Sequence, residues 1–264
     1  MMRSLYSAIS GLKNHQIKMD VIGNNIANVN TTGFKRSRVT FSTMLSQTLK
    51  GASSPTATSG GTNAIQVGLG SSLGSIDQIM TQGSSQSTGN PSDMMLQGPG
   101  FFTLSLDGGT TKIYSRSGAF SLDSNGDLID PASGANVLDA SGTKINIPPT
   151  CDSYSISSTG VITTITGKVA TTGQTIGVST FANPAGLTSI GGSFYTESSN
   201  SGTATLAAPG TGTTVVSNAV EMSNVDLSTE FTDMITAQRG FQANSRVITV
   251  SDSLLQELID LKRQ

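Results

Sequence analysis

Apolar residues recur every seven positions at both ends of the chain, and the middle keeps no such period. Near the N-terminus Leu5, Leu12, Met19 and Ile26 form one line, with Ala8, His15, Ile22 and Val29 on the line beside it. Near the C-terminus Leu227, Met234, Phe241, Ile248 and Leu255 repeat the pattern, with Phe231 one turn into the segment. Each set predicts a helix with one narrow apolar stripe. The first helix is expected over residues 4–28, about 40 Å long, with Gly11 and Gly23 inside it and Asn30-Thr31-Thr32-Gly33 as its stop. Asp226 is the expected N-cap of the second, and Glu230 sits in its first turn, where the helix dipole favours an anion.

The middle is written for β-structure. Phe101-Phe102-Thr103-Leu104-Ser105-Leu106 reads as a strand, with Lys112-Ile113-Tyr114-Ser115-Arg116 as its partner. Asn125-Gly126 between two short apolar runs predicts a two-residue hairpin turn. Lys144 to Ile147, Tyr154 to Ile156, Val161 to Ile165 and Ile176 to Phe181 are further candidate strands. Residues 51–74 and 198–217 are rich in Gly, Ser and Thr and read as linkers or extended hairpins. The predicted class is therefore α+β. Paired terminal helices span residues 1–32 and 220–264, an extended arm spans 33–74, and a mainly β outer domain, barrel- or sandwich-like, spans 75–219.

A stripe this narrow needs other helices, and linker-like residues separate both helices from the β-domain. The two stripes are thus expected to meet each other and those of neighbouring subunits, with ends that order on assembly.

Composition narrows the chemistry. Charged residues make up 12% of the 264 positions, about half the usual share, and the net charge is −2. That surface offers no broad basic field for nucleic acid or an anionic membrane. No apolar run reaches membrane-spanning length, and the start lacks an apolar signal core, so the expectation is a cytosolic chain or one exported without cleavage. The single cysteine, Cys151, excludes an intramolecular disulfide. His15 is the single histidine and stands in no triad or HExxH pattern. Asp123, Asn125, Asp127 and Asp130 alternate like a calcium loop but lack its terminal Glu, and a hairpin turn explains them equally. The glycines of residues 68–74 match no phosphate loop. Phe34 and Phe41 bracket Lys35, Arg36 and Arg38, a run read either as a solvated basic strand or as a charged contact to a neighbour. Catalytic, cofactor and metal sites are all expected to be absent.

Several runs resemble one family. Residues 12–36, with Asn24-Asn25-Ile26-Ala27-Asn28 at their centre and Phe34-Lys35-Arg36 at their end, are similar to the N-terminal signature of the axial rod and hook proteins of the bacterial flagellum. Gly98-Pro99-Gly100-Phe101-Phe102, Tyr114-Ser115-Arg116-Ser117-Gly118, Asn224-Val225-Asp226-Leu227 and Ala237-Gln238-Arg239-Gly240-Phe241 resemble its later segments. The resemblance implies a structural subunit with no active site. It would leave the cell unfolded through the flagellar type III export apparatus, without a cleaved signal. It would then polymerise as a helical tube alongside rod, hook, cap and junction proteins, in the hook or basal body. Its expected assembly contacts are Leu5, Leu12, Met19, Ile22, Ile26, Val29, Leu227, Phe231, Met234, Phe241, Ile248 and Leu255. The C-terminal runs look more like a short hook protein, a curved universal joint, whereas the modest length fits a distal rod protein; the reading favours the hook. A cell-wall-binding or hydrolase module is the alternative from another class.

Overall fold

The computed structural model describes residues 2–56, 60–167, 169–210 and 212–263. Ser59 and Thr211, from the two Gly/Ser/Thr-rich stretches, lie outside the described residues. The chain divides into two compact units: Met1–Ile26 with Ser37–Asp77 and Asp226–Gln264, and Ala27–Arg36 with Gln78–Val225.

The first unit is built on two long helices, α1 (Met2–Ala27) and α2 (Leu227–Arg263). Both follow the apolar periodicity. Asp226 caps α2 as expected, its Oδ1 accepting the Ser228 N–H at 3.0 Å and its Oδ2 the Thr229 hydroxyl at 2.7 Å. A Cβ at Gly11 would lie 2.9 Å from Asn244 Nδ2, and one at Gly240 would lie 2.4 Å from His15 Cε1. Lys18 pairs with Asp233 at 3.1 Å, and Asn25 Nδ2 donates to Glu230 Oε2 at 3.2 Å. Partners on α2 descend as positions on α1 ascend, so the helices pack antiparallel.

The rest of this unit is one long two-stranded arm. β1 (Ser37–Thr43) pairs with β4 (Ser71–Gln78), and β2 (Ser46–Lys50) with β3 (Ile65–Gly68), antiparallel, in register Ser46 to Gly68 and with an irregularity before Lys50. The base of the arm lies along α1. Asn14 Nδ2 donates to Ser71 Oγ at 2.8 Å, and Gly70 at φ 119° passes so close to Ser10 that a side chain would not fit. Of the two readings of residues 51–74, linker or extended hairpin, the structure has the hairpin, in which residues 65–68 pair with 46–50.

In the second unit, after β5 (Ser85–Ser87) and β6 (Met94–Gln97), the central strand is β7 (Phe101–Ser105), all five residues of which are buried. Strand alternation sends Phe102 and Leu104 into the main core with Leu96, Phe120, Leu128, Val137, Ile145 and Val178. Phe101 faces a smaller aromatic core with Tyr114, Leu187 and Tyr195, while Thr103 bonds the buried Ser179 hydroxyl at 2.7 Å. Strand β8 (Lys112–Ser115) pairs with β7 as the sequence predicts, Thr103 opposite Tyr114. Ser121–Leu122 and Leu128–Ile129 form the expected hairpin, but its turn is longer than two residues: the Gly126 N–H donates to the Asp123 carbonyl and the Asp123 N–H to the Asp127 carbonyl, with Gly126 at φ 81°. Ser153–Ile156, Val161–Thr166 and Val169–Thr175 make a separate three-stranded sheet. Lys144 to Ile147 differs from expectation: it forms isolated bridges, Asn146 opposite Asp127 and Lys144 opposite Leu138, with backbone hydrogen bonds joining Ile145 to Leu128 and Val137, rather than a continuous ladder.

Candidate assembly surfaces and a buried ion cluster

The helices of the first unit do not meet through their largest apolar residues. The buried positions of α1 are Ala8, Asn14, Ile22 and Asn25, largely the line beside the Leu5 stripe. On α2 the buried positions are Glu230, Ala237 and Ser251, with Gly240 and Asn244 half-buried between them. Small and polar residues form the seam, so the two helices approach closely. Asn25 anchors one end: its Nδ2 donates to Glu230 and to the Ser37 carbonyl at 2.9 Å, and its Oδ1 accepts the Ser37 N–H at 3.0 Å.

Eleven of the twelve expected contact residues therefore stay partly open. Ile22 is buried in the seam; Leu5, Leu12, Met19, Ile26, Val29, Met234, Ile248 and Leu255 are half-buried; Leu227, Phe231 and Phe241 are exposed. A further line on α2 was not recognised from periodicity: Val247, Val250, Leu254, Leu258 and Leu261 are all exposed at helical spacing. The arm adds Leu45, 85% exposed, with Leu49, Ile65 and Val67 also open. Apolar surface on this scale marks an interaction surface.

In the second unit three charges converge out of water. Lys35, Arg116 and Glu221 have side chains 1%, 4% and 0% exposed. Lys35 Nζ donates to Glu221 Oε1 at 2.5 Å and to the Thr81 carbonyl at 2.8 Å, and the Gly83 N–H donates to the same Oε1 at 2.8 Å. Arg116 Nε lies 3.0 Å from Glu221 Oε2, off the angle of a hydrogen bond, so that oxygen is held by charge alone. The Arg116 Nη1 donates to the carbonyls of Gly98 and Gly100 at 2.8 and 2.6 Å. Burial pushes the pKa of both Lys35 and Arg116 down, and Glu221 opposes that shift. Around the cluster the Gly33 N–H donates to the Glu221 carbonyl at 2.8 Å, and Gly33 at φ 68° packs against the Arg116–Ser117 backbone. Asn224 ties the same segments, accepting the Arg36 N–H at 2.8 Å and donating to the Ile79 carbonyl at 2.8 Å. The basic run is thus neither wholly solvated nor an intersubunit contact at Lys35. Sequence reading missed this cluster; a buried lysine is signalled only by its distant partner.

The catalytic alternatives find no support in geometry. Asp127 is committed to Lys144 and Asn146 at 2.7 Å each, and Asp130 to Ser133, so the calcium-like loop is closed by its own hydrogen bonds. His15 stacks over Gly240 with its ring 6.4 Å from Phe41. Cys151 lines a pocket of about 430 Å³ with Pro91, Pro148, Pro149 and Tyr154. Asp123 and Asp152 line the same pocket, and Asp152 accepts the Gly167 N–H at 2.9 Å.

Comparison with known proteins places these features in a family. The chain matches the model "Flagella basal body rod protein" over residues 5–35, "Flagellar hook protein FlgE/F/G D1 domain" over 95–164, and "Flagellar basal body rod FlgEFG protein C-terminal" over 216–261. It is 54% identical to the flagellar basal-body rod protein FlgG of Bacillus subtilis over 268 aligned positions, covering all of both chains. It is 37% identical to FlgG of Caulobacter vibrioides, covering 99% of this chain and 100% of that one. It is 30% identical to the hook protein FlgE of Borreliella burgdorferi, where 443 aligned positions cover 99% of this chain and 100% of the relative. The chain belongs to the flagellar rod and hook FlgE/F/G family, a structural and non-enzymatic component of the flagellar axis.

Proposed function

We propose that this chain is a distal rod subunit, a stiff segment of the drive shaft, rather than a hook subunit. The observation that carries the reading is its end-to-end match, at 54% identity, with a rod protein of nearly its own length. Alignment with the Borreliella hook protein instead extends to 443 positions, so that relative holds a long stretch this chain does not have. The hook reading rested on the terminal runs, which rod and hook relatives share. In the rod reading, subunits polymerise with one another and with other axial flagellar proteins through the exposed apolar faces of α1 and α2, and the β unit forms the outer shell.

Electron micrographs of flagellar basal bodies from cells lacking the gene test it. The rod reading expects a shortened rod with no hook beyond it. A full-length rod that merely lacks its hook would return the chain to the hook class.

A further inference from the structure

Three charged residues from distant parts of the sequence share one dry site in the β unit. Lys35 comes from the segment after α1, Arg116 from the end of β8, and Glu221 from the short strand Ala219–Glu221, which pairs antiparallel with β5 (Ser85–Ser87). Glu221 is 186 residues from Lys35 in sequence, yet it contacts both cations. Take away this strand, and Lys35 and Arg116 face each other as like charges with no carboxylate between them. Two buried cations without an anion are far more costly than a paired triad.

We propose that Glu221 is an electrostatic latch that makes closure of the β unit conditional on docking of the C-terminal segment. Until the strand Ala219–Glu221 docks, the Lys35 segment cannot seat against Arg116. A chain whose C-terminal segment has not arrived therefore holds residues 27–36 open. Once the strand pairs, one side chain neutralises both cations, and its own backbone carbonyl receives the Gly33 N–H. The mutual repulsion of the cations is visible in the downward push of Arg116 on the Lys35 pKa. The latch does not rest on the choice of rod over hook, so its failure would leave the functional reading standing.

The test is native-state hydrogen exchange in the full-length chain, read at the Gly33 amide and across residues 27–36, in the parent, E221Q, K35M and K35M/E221Q. Gln keeps the shape and the acceptor for the Gly83 N–H, removes the charge, and sets an amide NH2 in place of the oxygen that faces Arg116. E221Q should speed exchange about 100-fold. K35M/E221Q should recover at least about tenfold of that, because one of the two uncompensated cations is gone. If Glu221 acts only as a strand residue and acceptor, E221Q stays within about threefold of the parent, and the latch is overturned. Equal acceleration by E221Q in both backgrounds overturns it too. Should E221Q fail to fold, the soluble yield of K35M/E221Q decides: recovery supports the latch, and equal failure refutes it.

Discussion

Gly240→Ala isolates the helix seam from everything else in the molecule. An added Cβ would stand 2.4 Å from His15 Cε1 and 2.5 Å from Nε2. Non-bonded carbons settle at about 3.5 Å or more, so ring and methyl are roughly 1 Å too close. The ring has little room to retreat, since it is packed against α2 with Phe41 beside it. Overpacking of this kind costs about 1–3 kcal/mol. Against it stands the helix propensity of Ala over Gly, worth about 1 kcal/mol. The net expectation is a loss of about 1 kcal/mol in the parent. With His15→Ala in place the clash is gone and the same substitution should stabilise by about 1 kcal/mol. The sign reversal is the diagnostic.

Urea unfolding of the full chain, followed by circular dichroism at the helical minimum, reads both backgrounds, because α1 and α2 supply nearly all the helix. The difference of about 2 kcal/mol between them corresponds to a roughly 30-fold change in the unfolding equilibrium. Stabilisation by Gly240→Ala in the parent, of the same size as in His15→Ala, would mean that the helices do not meet at this position. The seam described above would then be wrong.

Three further outcomes follow from other parts of the chain. Phe231→Asp and Leu258→Asp, at side chains 49% and 51% exposed, should change monomer stability by no more than about 0.5 kcal/mol yet abolish sedimentable polymer, whereas Cys151→Ser should assemble like the parent. Gly33→Ala should destabilise the β unit by about 2 kcal/mol or more in urea melts, because φ is +68° and the new Cβ would lie 2.4 Å from the Ser117 nitrogen. Burial pushes the Tyr195 pKa up to about 12 and moves the Tyr114 pKa upward as well. The unfolded phenols ionise first, so the folded state binds more protons and stability falls as pH rises from about 10 towards 12. Tyr195→Phe should flatten that fall in alkaline melts.

What the sequence made legible was local. The seven-residue lines placed a helix over residues 4–28, and the structure has it at Met2–Ala27. Asp226 was readable as a cap because its neighbours begin an apolar period, and the hairpin because Asn125-Gly126 favours a turn, though its loop runs from Asp123 to Asp127 rather than over two residues. The pairing of β7 with β8 follows from a short connection. Long-range partners were not readable. Lys35 sits in a run that looks solvated, and nothing within that run signals a carboxylate 186 residues away. The face by which the two helices meet each other was not readable for a related reason: periodicity finds the largest apolar residues, whereas closest approach selects the smallest. Rod and hook could not be separated by the terminal runs, since both kinds of relative align through them. The length of the middle is what distinguishes them.

The choice of small residues for the seam explains how one chain can be both a defined subunit and a polymer former. Gly11, Ala237, Gly240 and Ser251 bury little apolar area, so pairing α1 with α2 leaves the larger side chains uncovered. Val247, Val250, Leu254, Leu258 and Leu261 on α2, and Met2, Tyr6 and Ile9 on α1, remain open. Each is worth about 1.5–3 kcal/mol when fully buried. Eight such residues supply a drive of the same order as the cost of association, about 4–15 kcal/mol, for neighbours to cover them. Had the large stripes satisfied each other inside the chain, that drive would be spent in folding. The polar contacts that run from α1 to α2, Asn25 to Glu230 and Lys18 to Asp233, then set the axial register of one helix against the other, because they are met only in one alignment. Register inside the subunit comes from polar contacts, and in the assembly proposed above cohesion between subunits falls to the uncovered apolar faces.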